Sequence, residues 1–268
     1  MPALGVFGAN GRMGRALINV AQQQQLNLTA ATVRKGSALL GLDAGEIAGC
    51  AKLALPVTEV NAASIQQADI WLDFTLPEPM LNHLQLAVAH KKAMVIGVTG
   101  LTDAQYAQLQ QASQFIPIVW APNMSVGVNL LLHLAKKAAS VMGNTADIEI
   151  IEAHHRFKKD APSGTALAIG NTIADSLGRN LSDVAVYGRE GETTEREQQS
   201  IGFSTIRGGD IIGDHTVLFA DLGERLEITH KASSRQTFAQ GAMRAAAWLK
   251  NKQPGLYSMQ QVLGLTDL

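Results

Sequence analysis

Near the start of the chain, Gly8-Ala9-Asn10-Gly11-Arg12-Met13-Gly14 limits the fold more than any other stretch. It follows a short apolar run, Ala3 to Phe7, that reads as a strand. It opens Arg15 to Gln25, which reads as a helix with Leu17, Ile18 and Ala21 on one face. Glycines let the backbone turn sharply and let a phosphate approach. The first N–H groups of a helix, with their partial positive charge, suit an anion. Strand, glycine turn and helix in that order predict a βαβ unit and a dinucleotide-binding turn. The spacing is G-x-x-G-x-x-G, not the commoner G-x-G-x-x-G, so a tight turn without ligand is the alternative reading.

The alternation continues. Leu26–Val33, Ala68–Thr75, Met94–Thr99 and Ile116–Ala121 read as strands, the second stopped by Pro77 and Pro79. Leu81–Ala89 and Asp103–Ser113 read as helices. Apolar strands alternating with helices imply a parallel sheet covered on both faces. The pattern changes near Met124–Gly127. A long helix, Ser125–Met142, a strand, Ile148–His154, and a helix, Gly164–Leu177, precede strand-like runs with few helices between them: Val184–Tyr187, Ile201–Arg207, Thr216–Ala220 and Leu226–Lys231. Such a series favours an antiparallel or mixed sheet. A last helix, Gln236–Lys250, is free to return to the first domain. The fold class expected is therefore α/β: a Rossmann-like parallel-sheet domain plus a central α+β domain with a mixed or antiparallel sheet.

Composition narrows the function. The chain has 268 residues, enough for one large or two ordinary domains. A net charge of −1 excludes a globally basic binder of nucleic acid or of membrane surfaces. The single cysteine, Cys50, allows neither an internal disulfide nor a cysteine zinc cluster. No run approaches the roughly 20 apolar residues that span a bilayer, and Met1–Gly14 does not read as a signal peptide. The expectation is a cytoplasmic protein with no membrane and no nucleic-acid partner.

Two segments carry chemistry. At the end of the second strand, about 20 residues beyond Gly14, an acid would bond the ribose 2′-hydroxyl of NAD, and an arginine would accommodate the 2′-phosphate of NADP. Val33-Arg34-Lys35 stands there, which favours NADPH, with NADH and simple solvated charges left open. The second segment is Glu152-Ala-His154-His155-Arg156-Phe-Lys158-Lys159-Asp-Ala-Pro-Ser163-Gly164-Thr165. Ser163 or Thr165 could cap a helix whose N–H groups suit a carboxylate. Adjacent histidines at a strand end point to opposite faces, so the pattern gives no metal site. Ser163 lacks the G-x-S-x-G elbow of a hydrolase. A solvated basic loop is the plain alternative. The remaining reading is acid–base chemistry on an anionic substrate, because histidine titrates near neutrality and a lysine among cations can lose its proton more easily.

The turn Gly8–Gly14 and the segment Glu152–Thr165, with Glu227-Ile-Thr-His-Lys-Ala-Ser-Ser-Arg235, resemble the 4-hydroxy-tetrahydrodipicolinate reductase (dihydrodipicolinate reductase) family over the whole chain. The resemblance implies a two-domain homotetramer of lysine and diaminopimelate synthesis that reduces a cyclic dicarboxylate with NADPH or NADH. It places residues 1–125 and 236–268 in the dinucleotide-binding domain and 126–235 in the substrate-binding and oligomerisation domain. His154 matches the family's proton donor/acceptor and Lys158 its proton donor. His155, Gly164 and Thr165 match substrate-binding positions. Gly8, Ala9, Asn10, Gly11, Arg12 and Met13 match the pyrophosphate loop. Gly97, Val98 and Thr99, and Ala121, Pro122, Asn123 and Met124, match two cofactor-lining turns, and Arg34 stands where a 2′-phosphate would lie. The chain departs from the family pattern at Val33, where an acid is frequent, at Val98, where a threonine is common, and at Met124, where an aromatic is common. Rival functions are another NAD(P)-dependent dehydrogenase acting on an amino or imino acid, which has no need of the His-His-x-x-Lys segment, and an NADP(H)-sensing regulator without turnover.

Overall fold

A computed structural model of the chain describes residues 2–265. They form two compact units: one of residues up to Val126 together with Arg235–Gly264, the other of Gly127–Ser234. The expected extension of the first domain over 266–268 lies outside the described residues.

The first unit alternates strands and helices: β1 (Leu4–Val6), α1 (Arg12–Gln23), β2 (Leu28–Val33), α2 (Ala44–Ala48), β3 (Thr58–Glu59), α3 (Ala62–Gln66), β4 (Ile70–Asp73), α4 (Pro77–Ala89), β5 (Ala93–Ile96), α5 (Asp103–Ala112) and β6 (Pro117–Trp120). The second unit holds α6 (Val126–Met142, its first residue in the first unit), β7 (Asp147–His154), α7 (Gly164–Ser176), α8 (Leu181–Val184), β8 (Ala185–Val186), β9 (Ile201–Arg207), β10 (Gly213–Asp221) and β11 (Glu224–Ala232). The chain then returns to the first unit with α9 (Gln236–Leu249), β12 (Gly255–Tyr257) and α10 (Met259–Leu263).

The first sheet has seven strands in the order β12-β6-β5-β4-β1-β2-β3. Every pair in it is parallel. All residues of β4 and β5 are buried, as a sheet covered on both faces requires. Strand order reverses beside β1, and such a switch point opens a crevice at the strands' carboxyl ends. The helix α9 packs on α1 and on this sheet, and its alanines Ala239, Ala242, Ala245 and Ala246 are buried there.

The second sheet runs β11-β10-β7-β9-β8 and is mixed: β10 pairs antiparallel with β7 and β11, while β9 pairs parallel with β7 and β8. Burial alternates along β7 and β10. One face packs Ile148, Ile150, Val217 and Phe219 against α6 and α7. The other carries Ile151 and Leu218, half-buried, and Ile206, 51% exposed.

Several elements differ from the sequence expectation. Pro77 does not follow a strand as a breaker; it is the first residue of α4, where its missing N–H costs nothing. The helix α1 starts at Arg12, inside the glycine turn. The short elements α2, β3 and α3, and β12 and α10 near the end, give too little apolar periodicity to be read.

Candidate active site

The glycine turn wraps tightly. Gly8 has φ +65, and Gly11 N–H donates to Gly8 O at 2.9 Å. A Cβ on Gly14 would lie 2.2 Å from Gly8 O, so only glycine fits there. Gly11 caps α1 without a side chain, and Asn10, Gly11 and Arg12 are exposed. Ala9 is buried, and Met13 packs on the core of the first unit. Behind the turn lies a group that sequence reasoning missed. Asp73, fully buried at the end of β4, accepts from Thr75 N–H and Oγ1 and meets His83 Nδ1 at 2.6 Å. Phe7 stacks on His83 at 4.0 Å. Thr75 Cγ2 would lie 2.7 Å from a Cβ on Gly8, so this network packs against the turn and leaves no room for a side chain there. A carboxylate and a histidine ten residues apart carry no spacing signal that could have paired them.

The exposed turn opening onto α1 fits a pyrophosphate, because glycines let the backbone close tightly on itself and the first N–H groups of the helix suit an anion. Arg34 follows β2 and is exposed, while Val33 is buried. Glu59, level with Val33 on β3, accepts from Gly36 N–H at 3.1 Å. The two other turns also sit at strand ends. Gly97 follows β5 with the Phe74 ring where its Cβ would be, Val98 is buried and Thr99 is exposed. Thr99 and Pro122 line a cleft of about 320 Å³ with Tyr106 and Trp120. Ala121 is buried, Asn123 Oδ1 accepts from Ser125 N–H, and Met124 lies 1% exposed in the core of the first unit.

In the second unit, β7 brings Glu152 and His154 to one face because strand residues two apart share a side. His154 Nδ1 lies 2.6 Å from Glu152 Oε2. Arg207, at the end of β9, places one terminal nitrogen on each Glu152 oxygen at 2.8 Å. Ser163 N–H donates to Glu152 Oε1 at 3.0 Å. Ser163, not Thr165, caps α7, its Oγ accepting from Ala166 N–H and lying 3.0 Å from His215 Nε2. His215, on β10, stands edge-on to His154 at 5.1 Å. Lys158 pairs with Asp160 at 3.0 Å. His155 is half-buried, and among the described residues its Nδ1 is buried without a hydrogen-bond partner. Gly164 and Thr165 form the first turn of α7, and a Cβ on Gly164 would meet open space. The structure thus brings His154, His155, Lys158, Gly164 and Thr165 into one strand–loop–helix segment. It adds Arg207 and His215, which lie too far along the chain for any local motif to have found.

The charges settle each other. Burial pushes the Glu152 carboxyl up, but Arg207, His154 and Ser163 N–H together hold it below the usual carboxylate range. Burial pushes His154 down; Glu152 opposes this, and Lys158 and Arg207 reinforce it, so the imidazole sits below its ordinary value. His215 is pushed down to about 4, first by burial and then by His154. The cluster therefore holds an ionised carboxylate and two neutral imidazoles at neutral pH, next to Lys158.

The family model described as dihydrodipicolinate reductase, N-terminus, matches residues 3–124, and the corresponding C-terminal model matches 127–263. The chain belongs to the dihydrodipicolinate reductase family. A 4-hydroxy-tetrahydrodipicolinate reductase of Pseudoalteromonas atlantica is 63% identical, covering 99% of this chain and 100% of its own. A dipicolinate-bound dihydrodipicolinate reductase from Paenisporosarcina sp. TG-14 superimposes with a TM-score of 0.75 at 25% identity, over 97% of this chain and 98% of that one. An amine dehydrogenase from Mycobacterium smegmatis shares the fold, with a TM-score of 0.61 at 11% identity over 96% of this chain and 95% of that one. Family membership makes the chain an oxidoreductase that works with a nicotinamide dinucleotide. No helix among the described residues is long and apolar enough to cross a membrane.

Proposed function

We propose that the chain reduces 4-hydroxy-tetrahydrodipicolinate to tetrahydrodipicolinate and water, in lysine and diaminopimelate synthesis. The observation that carries this reading is the His154 cluster: a carboxylate-paired imidazole and a lysine at a strand end, facing the first turn of a helix. A dicarboxylate needs cations and helix N–H groups, and its reduction needs a proton source.

A reduced nicotinamide, when bound, supplies the hydride. The Gly8–Met13 turn and the start of α1 would hold the pyrophosphate, with Gly97–Thr99 and Ala121–Met124 lining the rest of the coenzyme. Arg34 would pair with a 2′-phosphate. With Val33 apolar and Glu59 turned to Gly36 N–H, this favours NADPH over NADH. In the second unit, Lys158, His155 and the turn Gly164–Thr165 would bind the substrate carboxylates. Lys158, or His154 once its Nε2 has taken up a proton, gives the proton as electron density reaches the ring nitrogen, and such positioned acids supply about 10²–10⁴ in rate. The first unit acts as the coenzyme half and the second as the substrate half. The half-buried apolar residues on the outer face of the second sheet, Ile151 and Leu218, and the exposed Ile206 suit assembly of copies into a homotetramer. We place the enzyme in the cytoplasm, where its single cysteine stays reduced.

The test follows NADPH and NADH oxidation by absorbance, with substrate generated in place from pyruvate and aspartate semialdehyde by a coupling synthase. Oxidation that requires the coupled substrate, with a higher kcat/KM for NADPH, is the expected result. Tight NADPH binding without turnover would mean a sensor or another imine substrate instead.

A further inference from the structure

The proton chemistry above uses His154 and Lys158, and neither explains why the chain buries a carboxylate beside them and pairs it with a half-buried guanidinium. Glu152 is 1% exposed. Burying a carboxylate costs desolvation that an ion pair's attraction need not exceed, so the pair is a weak device for stability alone. Its geometry is more informative. Arg207 occupies both carboxylate oxygens, and Ser163 N–H adds a third bond, so the carboxylate cannot rotate. An ionised carboxylate only accepts hydrogen bonds, so His154 Nδ1, 2.6 Å away, must carry the hydrogen. Nε2 then remains for proton exchange. A Cβ on Gly213, the neighbouring residue of β10, would lie 3.1 Å from that Nε2, and glycine leaves the space open.

We infer that Glu152, clamped by Arg207, is a positioning residue that holds His154 in its Nδ1–H tautomer and aims Nε2 at the space beside Gly213. The inference rests on His154 handling the proton. The groups facing His154 are consistent with it. Glu152 shares its strand, Arg207 comes from β9 and His215 from β10, and Lys158, itself paired with Asp160, comes from the following loop. Ser163, the N-cap of α7, is uncharged and is engaged with His215. His215 is uncharged at neutral pH and so does not compete for the carboxylate.

The test compares Glu152→Gln and Glu152→Asp with the unaltered protein. Histidine ¹⁵N NMR reads the tautomer directly, and kcat, KM and their pH profiles read its use. In Glu152→Gln the amide can present N–H₂ to Nδ1, so the Nδ1–H signature should be lost or mixed. The kcat should fall about 10–100-fold, the range for outer partners that orient a histidine at metal sites, with KM within about threefold. The limb of the kcat profile that needs protonated His154 should move to lower pH, because the charge that favours the imidazolium is gone. Glu152→Asp should restore part of kcat and the Nδ1–H signature. An unchanged tautomer and kcat in Glu152→Gln would overturn the inference. So would a loss of kcat that tracks the fraction folded, with the pH limb unmoved. If Glu152→Gln does not fold, Arg207→Lys takes its place: the charge stays but the fork is lost, and a mixed tautomer with reduced kcat is expected. Failure of the unaltered protein to turn over the coupled substrate would sink the proposed reaction, while the NMR result would still decide the tautomer.

Discussion

Around Gly8–Gly14 the chain has removed side chains; around His154 it has crowded charged ones together. In the proposed function the turn would bind by backbone, and what it needs is room for its own close packing: Gly14 tolerates no Cβ, and Gly11 caps α1 with no side chain. The cluster works by side chains drawn from β7, β9, β10 and the start of α7, each oriented by the next. Its tolerance is set by partners rather than by volume. A site of the first kind fails when an atom is added, and a site of the second kind fails when one is taken away.

Five changes test that contrast, beginning with the largest effect. His154→Ala should lower kcat by about 10²–10⁴ with little change in substrate KM, because a positioned acid acts mainly in the transition state. Lys158→Ala should lose both kcat and affinity, since it serves charge as well as proton. Steady-state kinetics with the coupled substrate decides both, and unchanged kcat in both variants removes the mechanism. Gly14→Ala should break the turn by addition. Its methyl would meet Gly8 O at 2.2 Å and Ala9 Cα at 2.9 Å, costing about 1–3 kcal/mol as overpacking does, together with coenzyme binding. Thermal unfolding and coenzyme fluorescence measure the two losses, and an alanine that binds NADPH normally would show that the turn has slack.

The fourth change concerns pH. The folded state holds His215 at about 4, below its ordinary 6.5, so the unfolded chain takes up the proton first as pH falls. Its contribution to stability is complete above about 6.5 and is lost progressively toward 4. By this shift the loss is about 1–3 kcal/mol. Urea unfolding between these pH values should therefore show a shallower slope in His215→Asn than in the parent, and equal slopes would assign the acid loss to other groups. The smallest effect belongs to Arg34→Ala: KM for NADPH should rise while KM for NADH barely moves. Equal changes would mean that Arg34 does not read a phosphate.

Legibility in the sequence followed the range of the forces involved. The strands β1, β4, β5 and β6 were readable because a covered parallel strand must be apolar along most of its length. The region from α2 to α3 was not, because its order comes from single side chains bonding backbone. Asp43 accepts from the N–H groups of Gly45, Glu46, Leu53 and Leu55, and Asn61 with Ser64 forms a capping box. In the site, Glu152 and His154 stand two apart on one strand, a spacing that places them together. Arg207 is 55 residues away from Glu152, and Asp73 meets His83 ten positions on, between elements of different type.

By itself the sequence determined the glycine turn, the change from helix-separated to consecutive strands, and the His154–Thr165 segment. Each of these is a local demand of backbone sterics or of one short element, and local demands leave a pattern in neighbouring residues. Only the tertiary structure decided the strand order, the return of α9 to the first sheet, and the partners that set the charge of His154. Those depend on which strand lies beside which, and hydrogen bonds between strands are made by a backbone that is the same for nearly every residue.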